Sequence, residues 1–336
     1  LFLGVRSDLS RVQCDGVVTM SVPADRTARL CGTIQSVLEQ DSLSTAEAAS
    51  LAGRLGFTLS WSFGRLGRAA MQPIYRAAVE QESTLYGAGY DEVQLSVATR
   101  ASLEFFAELL PVLRPVRISI LSDHETPTIV WSDGKWEADD EVEPAGVGFV
   151  VAWPRERFRR FASPPRSAAE FDARYVLEHA RAEVSAAFLA DFAERQTYIG
   201  QLEILAGLCV YTSLGSAERP RARSIVGRRV LHFVDNTSAL AGMARGYAGP
   251  TDSRRLVHAL HCLLAGYGTA AWFDYVPSKA NVSDEPSREP ALAHELFVID
   301  EDTGLSSLPV PFFMPAAEAW ASDAGDWFVA AAEALD

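Results

Sequence analysis

Four acids stand where an acid is costly. Asp133 closes the apolar run Val130-Trp131-Ser132-Asp133, and Gly134 follows at once. Glu203 is the lone acid in "YIGQLEILAGLCVYTSLG", and Asp235 ends "VLHFVD". Asp284 follows "NVS" at the start of a last helical turn. Burial beside such neighbours disfavours the charged form, and a buried unpaired charge is expensive. Each Asp taken singly has a cheaper explanation, since an acid ending a strand is usually a turn or helix cap. Asp235-Asn236 would cap the helix after it, and Ser283-Asp284 would do so near Pro286. Glu203 has fewer such explanations. Convergence explains all four together: at the C-terminal edge of adjacent strands, with helices covering the face, carboxylates share divalent cations. Magnesium takes hard oxygen ligands. Two such ions about 4 Å apart activate a water and stabilise the leaving oxygen of a phosphodiester. The four cysteines, Cys14, Cys31, Cys209 and Cys262, form no CxxC pair, so a zinc site or a disulfide framework is not expected.

The elements that would position these acids begin at Val116. "VRISIL", "TIVWSD" and "AGVGFVVAW" read as strands, with "RERFRRFA" as a fourth. "SAAEFDARYVLEHARAEVSAAFLADFAER" reads as helix-prone. Then come the apolar helix with Glu203, the strand ending at Asp235 and a helix ending at Gly246. A further helix, "DSRRLVHALHCLLAGYG", precedes the strand "AAWFDYVP". Strands followed by alternating helix and strand predict an α/β layer fold with a mixed sheet flanked by helices, over 116–290. Before it, 1–10 reads as a strand and turn and 11–115 as a small helical domain. Ser44-x-x-Glu47 there is a capping box. From 291 to 336 the chain reads as an acidic tail.

Net charge is −14 over 336 residues. Ten of the acids lie from Glu289 onward, where no Lys or Arg occurs, so the body is near neutral. A polyanion must then be held by local basic patches. The densest is Arg155-Glu156-Arg157-Phe158-Arg159-Arg160, where alternation puts Arg155, Arg157 and Arg159 on one face. A charged, solvated edge strand explains the same run equally well. Asn236, Lys279 and Arg288 are further candidate contacts, and His258 and His261 read as structural. No apolar run reaches spanning length and no basic-then-apolar start occurs, so the chain reads as soluble and intracellular, cytoplasmic or nuclear, with no membrane partner. Leu1 falls inside an apolar stretch, which reads as a piece of something longer.

At these residues the sequence resembles a known family. "VWSDGKWE…AGVGFVV", "YIGQLEILA", "VLHFVDNTSALAGMARG" and "FDYVPSKANVSDEPSR" are similar to the four motifs of a retroelement ribonuclease H domain, and the N-x-x-D-x-x-S-R ending is the most specific. Upstream, "LFLGV" resembles the end of a reverse transcriptase palm. "LAGRLGFTLSWSFGRLGRAAMQPIY" resembles the thumb and connection region of DIRS-like elements, the tyrosine-recombinase type. The resemblance implies an RNase H-like mixed sheet flanked by helices, preceded by a small helical thumb/connection domain. It also implies that Asp133, Glu203, Asp235 and Asp284 bind two Mg²⁺ ions, with Mn²⁺ as an alternative. The implied reaction hydrolyses the RNA strand of an RNA–DNA hybrid, and the implied partner is the remainder of a reverse transcriptase polyprotein. No paired-aspartate polymerase motif occurs, so polymerisation by this chain is not expected. Two other readings stay open: a catalytically inactive, domesticated remnant that binds nucleic acid or protein, and another nuclease of the same fold.

Overall fold

The structure, a computed structural model, describes residues 5–60, 65–79, 94–113, 115–119, 126–138, 143–155, 167–302 and 304–315. The chain divides between residues 123 and 124 into two compact units.

The first unit holds β1 (Arg6–Asp8), α1 (Val12–Asp15), β2 (Val17–Ser21), α2 (Ala24–Gln40), α3 (Thr45–Ser60), α4 (Met71–Val79), α5 (Val97–Val112) and β3 (Val116–Ser119). The three strands form a small antiparallel sheet in the order β1-β2-β3. The capping box is present: Glu47 N donates to Ser44 Oγ at 3.3 Å, and Ser44 N donates back to the Glu47 carboxylate at 3.0 Å. Leu30, Ile34 and Val37 of α2 are buried, as the helical spacing requires. The boundary expected at 115/116 lies further on, because "VRIS" pairs with Val17–Met20 in this unit rather than joining the larger sheet.

The second unit runs β4 (Thr128–Trp136), β5 (Ala145–Pro154), α6 (Ala168–Arg174), β6 (Tyr175–Glu183), α7 (Ala186–Leu189), α8 (Ile199–Leu214), β7 (Arg229–Val234), α9 (Thr237–Arg245), α10 (Thr251–Gly266), β8 (Ala270–Tyr275), α11 (Asp284–Arg288), β9 (Phe297–Asp300) and β10 (Leu305–Pro309). Its mixed sheet has seven strands in the order β8-β7-β4-β5-β6-β10-β9, flanked by helices, as the RNase H-like fold class requires. β4, β5 and β6 form an antiparallel meander. β7 lies parallel to β4 and β8 parallel to β7, each reached through helices.

β5 is buried on both faces, which is why "AGVGFVVAW" reads as one apolar run. Val147, Phe149, Val151 and Trp153 face a core built with α8, α9 and α10. Val150 and Ala152 face a second, smaller core with Trp131, Phe171, Tyr175 and Leu177.

Two expectations are corrected. The helix-prone stretch holds a nine-residue strand, β6, between two short helices. Its Glu, Ala and Arg content favours helix, but the chain there pairs with β5 on one side and β10 on the other, and that pairing outweighs propensity. The acidic C-terminal segment also contributes structure. β10 pairs parallel to β6 and β9 antiparallel to β10. His179 clamps the junction, with Nδ1 2.8 Å from Ser307 Oγ and Nε2 2.6 Å from the Leu292 carbonyl. Of the run expected as a fourth strand, only Arg155 is described, just past the end of β5. No helix among the described residues is long and apolar enough to cross a membrane.

Candidate metal centre

β4 and β7 run in parallel register as far as Trp131 opposite Phe233, whose rings stack at 5.9 Å. Asp133 and Asp235 come two residues further along their chains, where the ladder between the strands has ended. Open α/β sheets bind ligands at the carboxyl ends of such diverging parallel strands. Asp133 is buried and Asp235 half-buried.

Glu203 arrives from α8, which covers the opposite face. A Cβ added to Gly134 would stand 2.6 Å from Glu203 N and 2.6 Å from the Leu202 carbonyl carbon. The missing side chain at residue 134 therefore lets the α8 backbone lie directly on β4. Carboxylate oxygens of Asp133, Glu203 and Asp235 then all fall within 4.8 Å of one another. α11 makes a matching approach on the other face. A Cβ on Gly148, the cross-strand partner of Asp133, would meet Ser287 N at 2.7 Å, and one on Gly146 would meet the Ser287 carbonyl oxygen. Seated there, Ser287 Oγ donates to Asp133 Oδ2.

This packing leaves a strong electrostatic mark. Burial raises the Asp133 carboxyl to about 7. The Ser287 hydrogen bond and Arg288 pull it down, while Asp235 and Asp284 push it up. Glu203 lies well above the usual carboxylate range, chiefly through burial and then through the charges of Asp133 and Asp235. Its Oε2 is buried with no hydrogen-bond partner. An orphaned carboxylate oxygen beside two further carboxylates is costly unless a cation occupies the gap. The all-oxygen donor set suits a hard divalent ion, so these residues fit the metal the sequence implied.

Asp284 stands beside this trio. It opens α11, half-buried, and its carboxylate accepts from Arg288 Nε at 2.9 Å. Arg288 also donates to Glu137 Oε1 at 3.1 Å, and Lys135 Nζ lies 3.7 Å from the other Glu137 oxygen. A strap of alternating charge thus flanks the carboxylates.

The other sequence candidates are placed as follows. Asn236 caps α9, its side-chain oxygen accepting from Ser238 N and Ala239 N at 3.0 Å each. Lys279 is exposed on a short turn before α11. Arg155 lies at the opposite end of the sheet from Asp133, bonded to the carbonyls of Asp172 (2.8 Å) and Tyr175 (3.0 Å). Arg157 and Arg159 lie outside the described residues. His258 and His261 are buried, and His261 Nε2 lies 2.9 Å from the Met243 carbonyl, a structural role.

Sequence reasoning passed over Ser287, although it stands inside the quoted N-x-x-D-x-x-S-R motif, and it passed over the glycines that seat the two helices. It also missed a buried trio centred on His232. Ser132 Oγ lies 2.8 Å from His232 Nε2, and the Tyr211 hydroxyl lies 3.1 Å from His232 Nδ1. Burial holds the His232 imidazole down at about 3, so it is neutral. With Ser132 and His232 wholly buried, the trio ties β4, β7 and α8 together and meets no substrate.

No family model matches the sequence, and no curated protein matches it. Among solved structures it is similar to the crystal structure of LC9-RNase H1, a type 1 RNase H with the type 2 active-site motif. The two are 16% identical with a TM-score of 0.31, over 63% of this chain and 87% of that one.

Proposed function

We propose that the chain is a metal-dependent endonuclease of ribonuclease H type that hydrolyses the RNA strand of RNA–DNA hybrids. The observation that supports this best is the convergence of Asp133, Glu203 and Asp235 around the orphaned Glu203 oxygen at the carboxyl ends of β4 and β7. On this reading the three carboxylates, with Asp284 beside them, hold Mg²⁺, two ions in all, and Mn²⁺ substitutes. Ions held there would supply an activated water and charge neutralisation at the leaving oxygen of the phosphodiester. The chain's own groups do the rest. Ser287 fixes the Asp133 rotamer through its hydroxyl. Arg288, steadied by Asp284 and Glu137, presents a cation beside the site for a substrate phosphate. The resemblance of 11–115 to a thumb and connection region, and of the four motifs to DIRS-like elements, extends the proposal. The chain is then part of a retroelement reverse transcriptase whose polymerase residues lie in a larger polyprotein.

Mg²⁺-dependent cleavage of an RNA–DNA hybrid, run beside a DNA duplex, tests the assignment. Asp133→Asn and Asp235→Asn keep the side-chain shape and remove a charged ligand, so cleavage should fall by on the order of a thousandfold or more with the fold retained. A wild-type protein that cuts no hybrid with Mg²⁺ or Mn²⁺ would leave the reading of an inactive binding remnant. Full activity in Asp133→Asn would remove the carboxylates from the chemistry.

A further inference from the structure

β8 ends the sheet on the side away from β10 and β9. Its six residues, Ala270-Ala271-Trp272-Phe273-Asp274-Tyr275, include no Lys, no Pro and no bulge, the devices that usually blunt an edge. Ala270, Trp272, Asp274 and Tyr275 are exposed, and Trp272 keeps 64% of its surface in solvent. Phe273 turns the other way, into the core under the helices.

The ladder with β7 fixes which backbone groups of β8 face outward. Ala270 N donates to the Arg228 carbonyl at 2.9 Å, and Val276 N donates to the Val234 carbonyl at 3.1 Å. A parallel ladder uses every second residue of each strand, so the even-numbered residues of β8 serve β7. The N–H and C=O groups of Ala271, Phe273 and Tyr275 point away from the sheet. Tyr275 N is taken by Asp274 Oδ1 at 2.8 Å. Among the described residues, nothing bonds the outward groups of Ala271 and Phe273.

This spacing is self-complementary. Set a second copy antiparallel to the first, with Trp272 on the two-fold axis. Ala271 then stands opposite Phe273 of the other copy, and Phe273 opposite its Ala271. Each of these pairs exchanges N–H···O bonds in both directions, so all the outward groups of both residues are satisfied. Trp272 meets Trp272 in the closer, non-hydrogen-bonded kind of pair, with Cα atoms about 4.5 Å apart. The charges match as well. Asp274 falls opposite Ala270 of the other copy, and Arg229 stands beside that Ala270 on the same face. An acid of each copy thus approaches a base of the other across a side chain too small to separate them. Arg229 also holds a contact within its own chain, so this pairing sets orientation more than strength.

We infer that β8 is a homodimer interface, with two copies joined edge to edge about a two-fold axis through Trp272. The two seven-stranded sheets then become one. Because the joined strands are antiparallel, the two carboxylate centres lie at opposite ends of it. The inference does not depend on the nuclease reading.

Sedimentation of the full-length protein over a range of concentrations is the first test. Wild type should show a reversible monomer–dimer equilibrium that stops at two copies. Ala271→Pro removes an outward N–H and leaves the ladder to β7 untouched. It should weaken the dimer by roughly tenfold or more while the circular-dichroism spectrum stays that of wild type. The second test is register. In a Cys14→Ser background, which removes the exposed thiol, Trp272→Cys should oxidise to a covalent dimer, since the spacing on the axis suits a disulfide. Asp274→Cys lies on the same face but about 13 Å from its mate, and should not. If Ala271→Pro fails to fold, the crosslinking decides alone. A wild type that is monomeric at its highest soluble concentration overturns the inference. So does a dimer that Ala271→Pro leaves intact and Trp272→Cys does not lock, because another surface must then hold it. Open-ended oligomers overturn it too, since they would mean head-to-tail pairing with a different edge.

Discussion

Asp133 and Glu203, both raised by burial, shape how the metal-free protein responds to pH. The Asp133 carboxyl titrates at about 7 when folded, against 3.8 for the ordinary side chain. Between those values the folded state holds a proton that the unfolded chain has released. Stability therefore falls as pH rises through this window. The span corresponds to a penalty on the order of 4 kcal/mol for this one buried group. Asp133→Asn should flatten the decline and melt higher than wild type at pH 8 without metal. A wild-type melting temperature constant from pH 4 to 8 in chelator would contradict this. Below 7 a divalent ion must displace the protons on Asp133 and Glu203, so the Mg²⁺ concentration at half-maximal stabilisation should rise by roughly tenfold or more for each unit by which pH falls. Asp133 and Glu203 could be picked out in the sequence because a charge among apolar letters is conspicuous. Ser287 was marked only by its place in the N-x-x-D-x-x-S-R motif, since a serine after a proline on a short helix shows no role of its own until the glycines opposite bring it onto the acid.

Gly134 decides where α8 sits. Gly134→Ala would drive a methyl against backbone atoms of Leu202 and Glu203 at 2.6 Å, and backbone cannot rotate away as a side chain can. The helix must shift, and a displacement of about 1 Å at a reacting group costs on the order of a hundredfold in rate. All four acids remain in this variant, so measured cleavage near wild type would mean that α8 tolerates the shift. Gly200→Ala, on the first turn of the same helix with nothing within 4 Å of the added carbon, should instead raise stability by about 1 kcal/mol. Helix and strand types at α8, β4, β5, β7 and β8 were legible from periodicity and from runs bounded by turn residues. β6 was not, because its letters favour helix and only its neighbours on either side make it a strand. "VRIS" was legible as a strand but not as the partner of Val17–Met20, since register between distant segments leaves no mark in either one.

At the scale of the molecule, Phe297–Asp300 and Leu305–Pro309 belong to the sheet rather than to a tail. Deleting 291–336 should strip β6 of its β10 partner and His179 of both its hydrogen bonds, exposing an unpaired strand edge. Deleting only 316–336 leaves those bonds in place. The longer deletion should lower the melting temperature and promote aggregation while the shorter should not, and equal melting curves would show that β9 and β10 add nothing. The segment reads as a tail for a plain reason. Its acids dominate the composition, while the pairing residues Leu305–Pro309 are short and unremarkable in sequence.

The parallel pairing of β4 with β7 also sets a timetable for synthesis. About a hundred residues separate Asp133 from Asp235, and Ser287 follows some fifty later. At roughly 5–20 residues per second, a ribosome takes several seconds at the least to deliver the second aspartate after the first, and longer to deliver the serine that orients the first. Until Glu203 is made, Asp133 is a lone acid within the β4–β5 hairpin. A nascent chain stopped between Asp133 and Asp235 lacks at least one carboxylate of the trio, so such incomplete translation products should not assemble the centre.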